Sequence, residues 1–300
     1  MLVVQAPAKL NLFLHVLGER PDGYHELETL FERIDLADEL TFEPADASLS
    51  LTCDDPTLSV GEENLVLQAA RLLQHTCRVP RGARIHLRKR IPIAAGLGGG
   101  SSDAASTLLA LNALWRLELP MAELLRLGAT LGSDVSFFLY QVPFAIGQGR
   151  GERCESIPVD SCLAHVLVTP SARVSTKDVY DGLRQSRQFG LTAPHASISM
   201  LVHALSNGSL VELAPGLWND LEPEAIRRCP VSGLIQSRLR ESQCLGALVS
   251  GSGPTVFGLC RDVAHAHAVA AALRVHAEPS WRINVVQTLD LRGAKVLNPA

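Results

Sequence analysis

A glycine-rich stretch at residues 92–105, PIAAGLGGGSSDAA, constrains this chain more than any other part of its sequence. Glycine inside regular structure costs about 0.5–1 kcal/mol relative to alanine. The stretch is therefore either a flexible loop or a site where backbone N–H groups, not covered by side chains, come close to an anion. A strand pattern before it and an alanine- and leucine-rich helical pattern after it favour an anion site, because a helix N-terminus carries partial positive charge.

Two familiar nucleotide-binding patterns do not fit these glycines. A Walker loop requires a lysine directly after its last glycine, and none follows here. The G-x-G-x-x-G fingerprint also fails, since its third glycine falls on Ser101 when counted from Gly96 and on Asp103 when counted from Gly98. Phosphate binding is still expected, with Ser101 and Ser102 as hydroxyl donors and as the predicted N-cap of the helix.

The charge balance favours neither nucleic acid nor a membrane surface as partner. The 300 residues include 27 basic and 31 acidic ones, a net charge of −4, whereas nucleic acid or an anionic membrane would call for a basic excess. No segment offers the roughly 18 apolar residues that span a bilayer, and the N-terminus lacks the marks of a signal peptide. Seven scattered cysteines without a C-x-x-C pair indicate reduced thiols in the cytoplasm, and no metal-ligand cluster is predicted.

Strand and helix patterns follow one another irregularly, which predicts the α+β class rather than a doubly wound sheet. Helices are predicted at residues 64–74, 102–115 and 121–131. A strand pattern precedes the glycines and is expected to end at Pro92. The glycine-rich, charged stretch at 147–155 predicts a boundary between two domains, at residues 1–153 and 154–300.

Three motifs resemble those of the GHMP kinases, a family that includes galactokinase and the homoserine, mevalonate and phosphomevalonate kinases. They are APAKLN at 6–11, the glycine-rich stretch at 92–105, and VSGSGPTVF at 249–257. The resemblance implies the two-domain α+β fold of that family, with an N-terminal domain like ribosomal protein S5 and a ferredoxin-like C-terminal domain. It also implies an ATP-dependent kinase that uses Mg²⁺, with its site between the domains and the third motif supporting the phosphate loop.

The resemblance further implies which residues bind the nucleotide. They are Asn64, Lys89, Pro92, Ile93, Ala94, Ala95, Gly96, Leu97, Gly98, Gly99, Gly100, Ser101 and Ser102. Asn64 begins the helix expected to border the adenine, and Lys89 lies on the strand that leads into the glycines. For Lys89, the residues alone leave open an ordinary solvated charge cluster with Arg88 and Arg90.

The same resemblance implies Asp134, in the segment LGSDVSFFL, as the general base and Lys9 as the cation that neutralises developing charge. The pattern alone favours a simple N-cap for Asp134, and for Lys9 it leaves open a lysine that reaches solvent from a strand. That strand is predicted to have two faces, one with Leu10, Leu12, Leu14 and Val16 and the other with Lys9, Asn11, Phe13 and His15. Ser136 stands where the family commonly has proline, which predicts a looser start of the following helix.

The segments RPDGYHEL, NLVLQAA, LGSDVSFFL and WNDLE narrow the resemblance to the members whose acceptor carries cytidine diphosphate. The implied substrate is a small molecule, methylerythritol linked to cytidine diphosphate, which is phosphorylated on its 2-hydroxyl. The residues implied to bind it are Asn11, Tyr24, His25, Tyr180, Gly251, Ser252 and Gly253. Tyr24 and Tyr180 are expected to stack on the two faces of the cytosine, and His25 to hydrogen-bond its edge.

Two other functions stay open at this point. One is a GHMP kinase that acts on a different small alcohol, against which the segment PDGYHEL with Tyr180 argues, because these residues suit a stackable base. The other is a non-catalytic nucleotide-binding or RNA-interacting protein, which would need neither Lys9 nor Asp134 and would carry more basic charge. No nucleic-acid or membrane partner is expected, and the chain is expected to be a monomer or a weak homodimer. Residues 185–211 give no functional signal.

Overall fold

Two β-sheets and the helices around them make up the fold of a computed structural model that describes residues 1–187 and 196–290. The strands of the first sheet are β1 (Leu2–Glu19), β2 (His25–Ala45), β3 (Leu49–Cys53), β4 (Gly82–Arg88), β5 (Phe144–Gly149), β6 (Arg153–Ser156) and β8 (Trp218–Asn219). The strands of the second sheet are β7 (Ala164–Thr169), β9 (Gly246–Val249), β10 (Val256–Cys260) and β11 (Arg282–Gln287). The helices are α1 (Leu65–Thr76), α2 (Gly99–Trp115), α3 (Met121–Leu131), α4 (Val135–Tyr140), α5 (Thr176–Arg187), α6 (Ile198–Ser206), α7 (Leu210–Gly216), α8 (Glu222–Arg228), α9 (Pro230–Glu241) and α10 (Val263–His276). This mixture confirms the α+β prediction.

The first sheet has the strand order β3-β4-β2-β1-β8, with β5 paired to β2 and β6 paired to β5. Strands β1 and β2 pair antiparallel over most of their length on either side of the Pro-Asp-Gly turn. Helices α1 to α4 share a hydrophobic core with strands of this sheet, and α2 is buried over most of its surface. Strand β4 ends at Arg88, before the predicted Pro92. The next three backbone N–H groups, at residues 89–91, donate to the carboxylates of Asp54 and Asp38 and not to a neighbouring strand.

The prediction of two regular faces on β1 is partly wrong. A register shift between Asn11 and Phe13 interrupts the alternation of side chains along the strand. Phe13 therefore packs in the core with Leu10 and Leu12, while Leu14 faces the same cavity as Asn11.

The second sheet has the strand order β11-β7-β10-β9, with all neighbours antiparallel. Helix α9 packs beside β9 and β10, and α10 beside β7 and β11. The succession β7, α9, β9, β10, α10, β11 in this order is the ferredoxin-like arrangement that the resemblance implied. Helices α5 to α8 lie along the chain between β7 and α9.

The two sheets are joined in two ways. Side chains of both, among them Leu10 of β1 and Leu167 of β7, belong to one hydrophobic cluster, and an isolated antiparallel bridge links Ile34 of β2 to Thr288, directly after β11. The domain boundary after residue 153 stays a prediction. Within the described ranges, no helix combines the length and apolar character needed to cross a membrane.

Candidate active site

A cavity of about 830 Å³ lies where the glycine-rich loop, β1 and the start of β2 meet the turn after β9. It brings together residues from all three motifs, among them Lys9, Asn11, Tyr24, His25, Asn64, Lys89, residues 92–101, Asp134, Tyr180, Gly251 and Ser252. Two predicted site residues, Ser102 and Gly253, are not part of its lining. A concave site of this volume suits a small-molecule ligand.

The phosphate loop, residues 92–98, has a backbone that requires glycine. Gly96 and Gly98 have φ angles of 78° and 71°, in the left-handed region. A Cβ on Gly96 would lie 2.1 Å from the carbonyl oxygen of Ser250, so no side chain fits between them. The Ser250 hydroxyl also donates a hydrogen bond to the carbonyl of Gly96 at 3.0 Å. The third motif thus supports the phosphate loop through backbone contact.

Helix α2 begins earlier than predicted, at Gly99 instead of Ser102. Gly98 occupies the N-cap position, and no side chain caps the first turn. The N-cap role predicted for Ser101 and Ser102 is therefore wrong, because the left-handed turn at Gly98 starts the helix before either serine. The uncapped N–H groups of the first turn remain available to an anion.

Lys9 and Asp134 meet at the floor of the cavity. The Lys9 ammonium lies 3.7 Å from the Asp134 carboxylate and donates a hydrogen bond to the side-chain carbonyl of Asn11. The Asn11 amide donates in turn to the Thr29 hydroxyl at 2.8 Å. Lys9 is 4% exposed, so the alternative of a lysine that reaches solvent is wrong. Burial lowers the pKa of Lys9, and the negative charge of Asp134 partly opposes that shift.

The Asp134 side chain makes no capping hydrogen bond, although α4 begins at Val135 directly after it. The structure therefore does not support the alternative in which Asp134 serves as a simple N-cap. The carboxylate is instead directed at the cavity, which it lines. Ser136 is buried in the first turn, and the helix forms there without the proline of the family.

Arg33 contacts the middle of α4, beyond the end that carries Asp134. Its guanidinium donates hydrogen bonds to the carbonyls of Phe137 and Phe138, at 3.0 and 3.1 Å, and lies over both of their rings. Burial lowers the pKa of Arg33 to about 9. A buried arginine thus fixes the short helix whose start carries Asp134.

Lys89 forms a buried ion cluster with Asp38 and Asp103. Its ammonium contacts Asp38 and lies 3.0 Å from Asp103, and all three side chains are at most 5% exposed. Burial opposes the charge of Lys89, but Asp103 and Asp38 outweigh it and raise the pKa of the ammonium. Burial also raises the pKa of Asp103 to about 7. The alternative of a solvated cluster holds for Arg88 and Arg90, which are exposed, and is wrong for Lys89.

Replacing Lys89 with methionine is expected to lower the free energy of unfolding by about 3–5 kcal/mol, because it leaves two buried carboxylates without their cation. Urea denaturation at neutral pH measures the change. The adjacent Arg88→Met, at an exposed position, is the matched control and is expected to unfold like the wild type. A Lys89 variant as stable as that control would show that the cluster contributes nothing to folding.

The aromatic residues predicted to hold the base line the same cavity. The rings of His25 and Tyr180 lie 4.8 Å apart, and the guanidinium of Arg150 lies 4.5 Å from the centre of the Tyr24 ring. Burial raises the pKa of Tyr180, and the nearby Asp134 charge adds to that shift. Tyr180 therefore stays neutral at any physiological pH.

Asn64 uses its side chain within the protein. Its amide oxygen accepts the N–H of Val66 at 2.9 Å and caps α1, and its NH₂ group donates to the carbonyl of Ser59 at 2.7 Å. The residue borders the cavity as predicted. Because both ends of its side-chain amide are already bonded, Asn64 contributes to the cavity through the N-terminus of α1, which it caps.

Sequence reasoning missed five residues that shape the site: Arg33, Asp38, Asp103, Arg150 and Asn219. Asp103 stands inside the glycine motif and Asn219 inside WNDLE, so a search of the motifs for polar residues without a role could have found both. Arg33 and Asp38 lie within β2 and carry no local signal. Among the described residues, no group of three or more His, Cys, Asp or Glu side chains could hold a metal ion.

Comparisons with known proteins agree with this geometry. The family "GHMP kinases N terminal domain" matches residues 64–141, and "GHMP kinases C terminal" matches residues 201–277. The chain is 44% identical over 275 residues to a 4-diphosphocytidyl-2-C-methyl-D-erythritol kinase of Pelotomaculum thermopropionicum, covering 91% of this chain and 94% of that protein. It is 41% identical over 293 residues to the enzyme of the same name from Syntrophus aciditrophicus, covering 97% and 100%.

Solved structures give the same result. A crystal structure of 4-(cytidine 5'-diphospho)-2C-methyl-D-erythritol kinase matches with a TM-score of 0.79 and 39% identity, covering 95% of this chain and 99% of that one. A mevalonate kinase from L. major in complex with R-mevalonate matches with a TM-score of 0.75 and 17% identity, covering 97% of each chain, which shows a shared fold. The chain therefore belongs to the GHMP kinases and, within them, to the family of 4-diphosphocytidyl-2-C-methyl-D-erythritol kinases.

Proposed function

We propose that this chain transfers the γ-phosphoryl group of ATP to the 2-hydroxyl of 4-diphosphocytidyl-2-C-methyl-D-erythritol, a step of the non-mevalonate route to isoprenoids. The observation that carries the proposal is the Lys9–Asp134 pair, 3.7 Å apart, in the cavity that the phosphate loop lines. A nucleotide-binding module needs an anion site but no carboxylate at its floor. A kinase needs both, because a hydroxyl must lose a proton as it attacks phosphorus.

The phosphate loop and the uncapped start of α2 are the proposed binding site for the ATP phosphates. Left-handed backbone at Gly96 and Gly98 lets successive N–H groups turn toward one anion. The α2 dipole adds favourable potential at the same place. Fixing the phosphates on rigid backbone supplies the positioning that phosphoryl transfer requires.

Mg²⁺ fits this site through its oxygen donors. Ser101, in the first turn of α2, lines the cavity and carries a hydroxyl group. Hydroxyl and phosphate oxygens are ligands that Mg²⁺ takes, so Ser101 and the ATP phosphates would hold the ion. When bound, it would supply positive charge that offsets the charge on the phosphates.

Asp134 is proposed to accept the proton of the acceptor hydroxyl. The hydroxyl oxygen forms a bond to the γ-phosphorus, the bond from that phosphorus to the β–γ bridging oxygen breaks, and ADP leaves with the electron pair. Lys9, whose ammonium lies 3.7 Å from the Asp134 carboxylate, is proposed to stabilise the negative charge that develops. The hydrogen bond from Lys9 to Asn11 keeps the ammonium on this side of β1.

The cytidine part of the acceptor is proposed to lie between Tyr24 and Tyr180, with His25 at its edge. Arg150, which lies over the Tyr24 ring, holds that ring in place from the side of β5. The second candidate function, a GHMP kinase for another small alcohol, lacks a use for these aromatic residues. The mevalonate kinase structure, at 17% identity, shares the fold of this chain and does not by itself support that second function.

Replacing Tyr180 with alanine is expected to raise KM for the cytidine-bearing acceptor about tenfold or more, because base–aromatic stacking contributes about 1–3 kcal/mol. KM for ATP is expected to stay near the wild-type value. Steady-state kinetics with each substrate varied in turn measures both. Tyr180→Phe keeps the ring and is the matched control, so an equal loss in both variants would contradict stacking and point to the hydroxyl.

Turnover of the acceptor by the purified protein tests the function. We expect ADP release that depends on the cytidine-bearing acceptor, together with one new phosphomonoester signal in the ³¹P spectrum of the product. ADP release at the same rate without acceptor would contradict the proposal.

A further inference from the structure

Asn219 has no part in the mechanism above, although its side chain is buried beside the site. The residue lies on β8, opposite Leu14 of β1, and is 5% exposed. Its NH₂ group donates to the carbonyls of Val249 and Gly251, at 2.8 Å each, and its oxygen accepts the N–H of Leu221 at 2.9 Å. One amide thus spans the turn after β9 that forms the third motif.

The hydrogen bond to Gly251 fixes the direction of one peptide group. In a trans peptide the N–H points opposite to the carbonyl, so the N–H of Ser252 points away from Asn219. That N–H has no acceptor among the described residues, and both Gly251 and Ser252 line the cavity. A Cβ on Gly251 would lie 3.2 Å from the Lys9 ammonium, which places this peptide next to the reaction centre.

The neighbouring residue ties this arrangement to β1. The N–H of Asp220 donates to the carbonyl of Leu14 at 2.9 Å, and its carboxylate accepts the N–H of Val16 at 2.7 Å. Asn219 therefore lies on β8, which pairs with the strand that carries Lys9, while its side chain holds the turn that carries Ser252. Asn219 and Asp220 together set the distance between Lys9 and Ser252.

We infer that Asn219 is a positioning residue that aims the backbone N–H of Ser252 at a negatively charged oxygen of the transferring phosphoryl group. The inference rests on the proposed kinase function and deepens it. A backbone donor held in this way needs no reorganisation as charge develops, which is the property that stabilises a transition state. Asn219 acts through the peptide group and does not itself touch the substrate.

Asn219→Asp tests this inference because it keeps the shape of the side chain and the acceptor for Leu221. The carboxylate has no N–H to donate and repels the two carbonyl oxygens, so the Gly251–Ser252 peptide loses its orientation. We expect kcat per folded molecule to fall about 10²-fold, as for loss of one transition-state donor. KM for ATP and for the acceptor is expected to stay near the wild-type value.

Asn112 supplies the matched control. It is a buried asparagine near the end of α2, and its amide likewise bonds both ways, to the carbonyl and the N–H of Leu119 at 3.2 and 3.0 Å. Asn112→Asp is expected to lower the melting temperature while kcat per folded molecule stays at the wild-type value. Folded fractions are measured by circular dichroism at the assay temperature.

Asn219→Ser removes the amide without adding charge and replaces the first variant if that one fails to fold. A wild-type kcat per folded molecule in either Asn219 variant would overturn the inference, whatever the change in stability. Such a result would leave the proposed function intact, because the wild-type assay tests that function separately. An inactive wild type would instead refute the proposed function.

Discussion

Replacing Asp134 with asparagine is expected to lower kcat about 10²–10⁴-fold, the usual contribution of a general base. Asparagine has nearly the same shape as aspartate but cannot take up the proton of the acceptor hydroxyl at neutral pH. The Lys9 ammonium, 3.7 Å from the carboxylate, also loses its counter-charge in the variant. Steady-state rates with saturating ATP and acceptor measure the loss, and titration calorimetry measures ATP binding, which is expected to survive.

Asp46→Asn, on an exposed turn between β2 and β3, is the control for the general effect of removing one negative charge. It is expected to turn over at the wild-type rate. If Asp134→Asn retained more than about a tenth of wild-type kcat, Asp134 would not be the base, since even a weak general base contributes about 10²-fold.

The second large effect is expected at Gly98, where valine should abolish ATP binding. Gly98 has a φ of 71°, which a β-branched residue rarely adopts. Its Cβ would lie 3.0 Å from Cγ of Lys9 and from the ring of Phe138. The substitution is therefore expected to distort the phosphate loop and displace Lys9, so that both nucleotide affinity and kcat fall below detection.

Circular dichroism and ATP titration of the purified variant check this result. Gly18→Val, on β1 where a Cβ has no neighbour within 4 Å, controls for the added volume and is expected to bind ATP normally. A folded Gly98→Val protein with wild-type affinity for ATP would mean that the loop does not hold the phosphates.

The glycine-rich loop could be predicted from the sequence because the residues that define it are consecutive in the chain. The need for left-handed backbone can be inferred from glycines at 96 and 98, and the anion site follows from the helix after them. The pairing of Lys9 with Asp134 could not be predicted in this way. These residues are far apart along the chain, and only the resemblance to a family connected them before the structure placed their charges 3.7 Å apart.

Two predictions were wrong because the surrounding backbone overrides the local rule on which each one rested. Ser102 is a good N-cap by propensity, but the left-handed turn at Gly98 starts α2 before it. Phe13 faces the polar side in a regular alternation, but a register shift after Asn11 turns it into the core. Register shifts leave no mark in the pattern of apolar residues, so strand pairing alone reveals them.

Arg33 and Asp38 could not be predicted from the sequence, because each forms hydrogen bonds with the backbone of another element. Arg33 donates to two carbonyls of α4, and Asp38 accepts the N–H groups of Arg90 and Ile91 where the chain enters the phosphate loop. Such a role depends on which carbonyl or N–H lies within reach in the fold. Neither side-chain type nor spacing predicts it.

The measurement that tests the central claim most directly offers the wild-type protein three acceptors with ATP, in parallel. They are the cytidine-bearing methylerythritol, mevalonate and homoserine, and ³¹P spectroscopy identifies any phosphorylated product. The proposed site predicts phosphorylation of the first acceptor and none of the other two, because only the first carries a base for Tyr24 and Tyr180. Phosphorylation of mevalonate or homoserine, with the cytidine-bearing acceptor left unchanged, would contradict the proposed function.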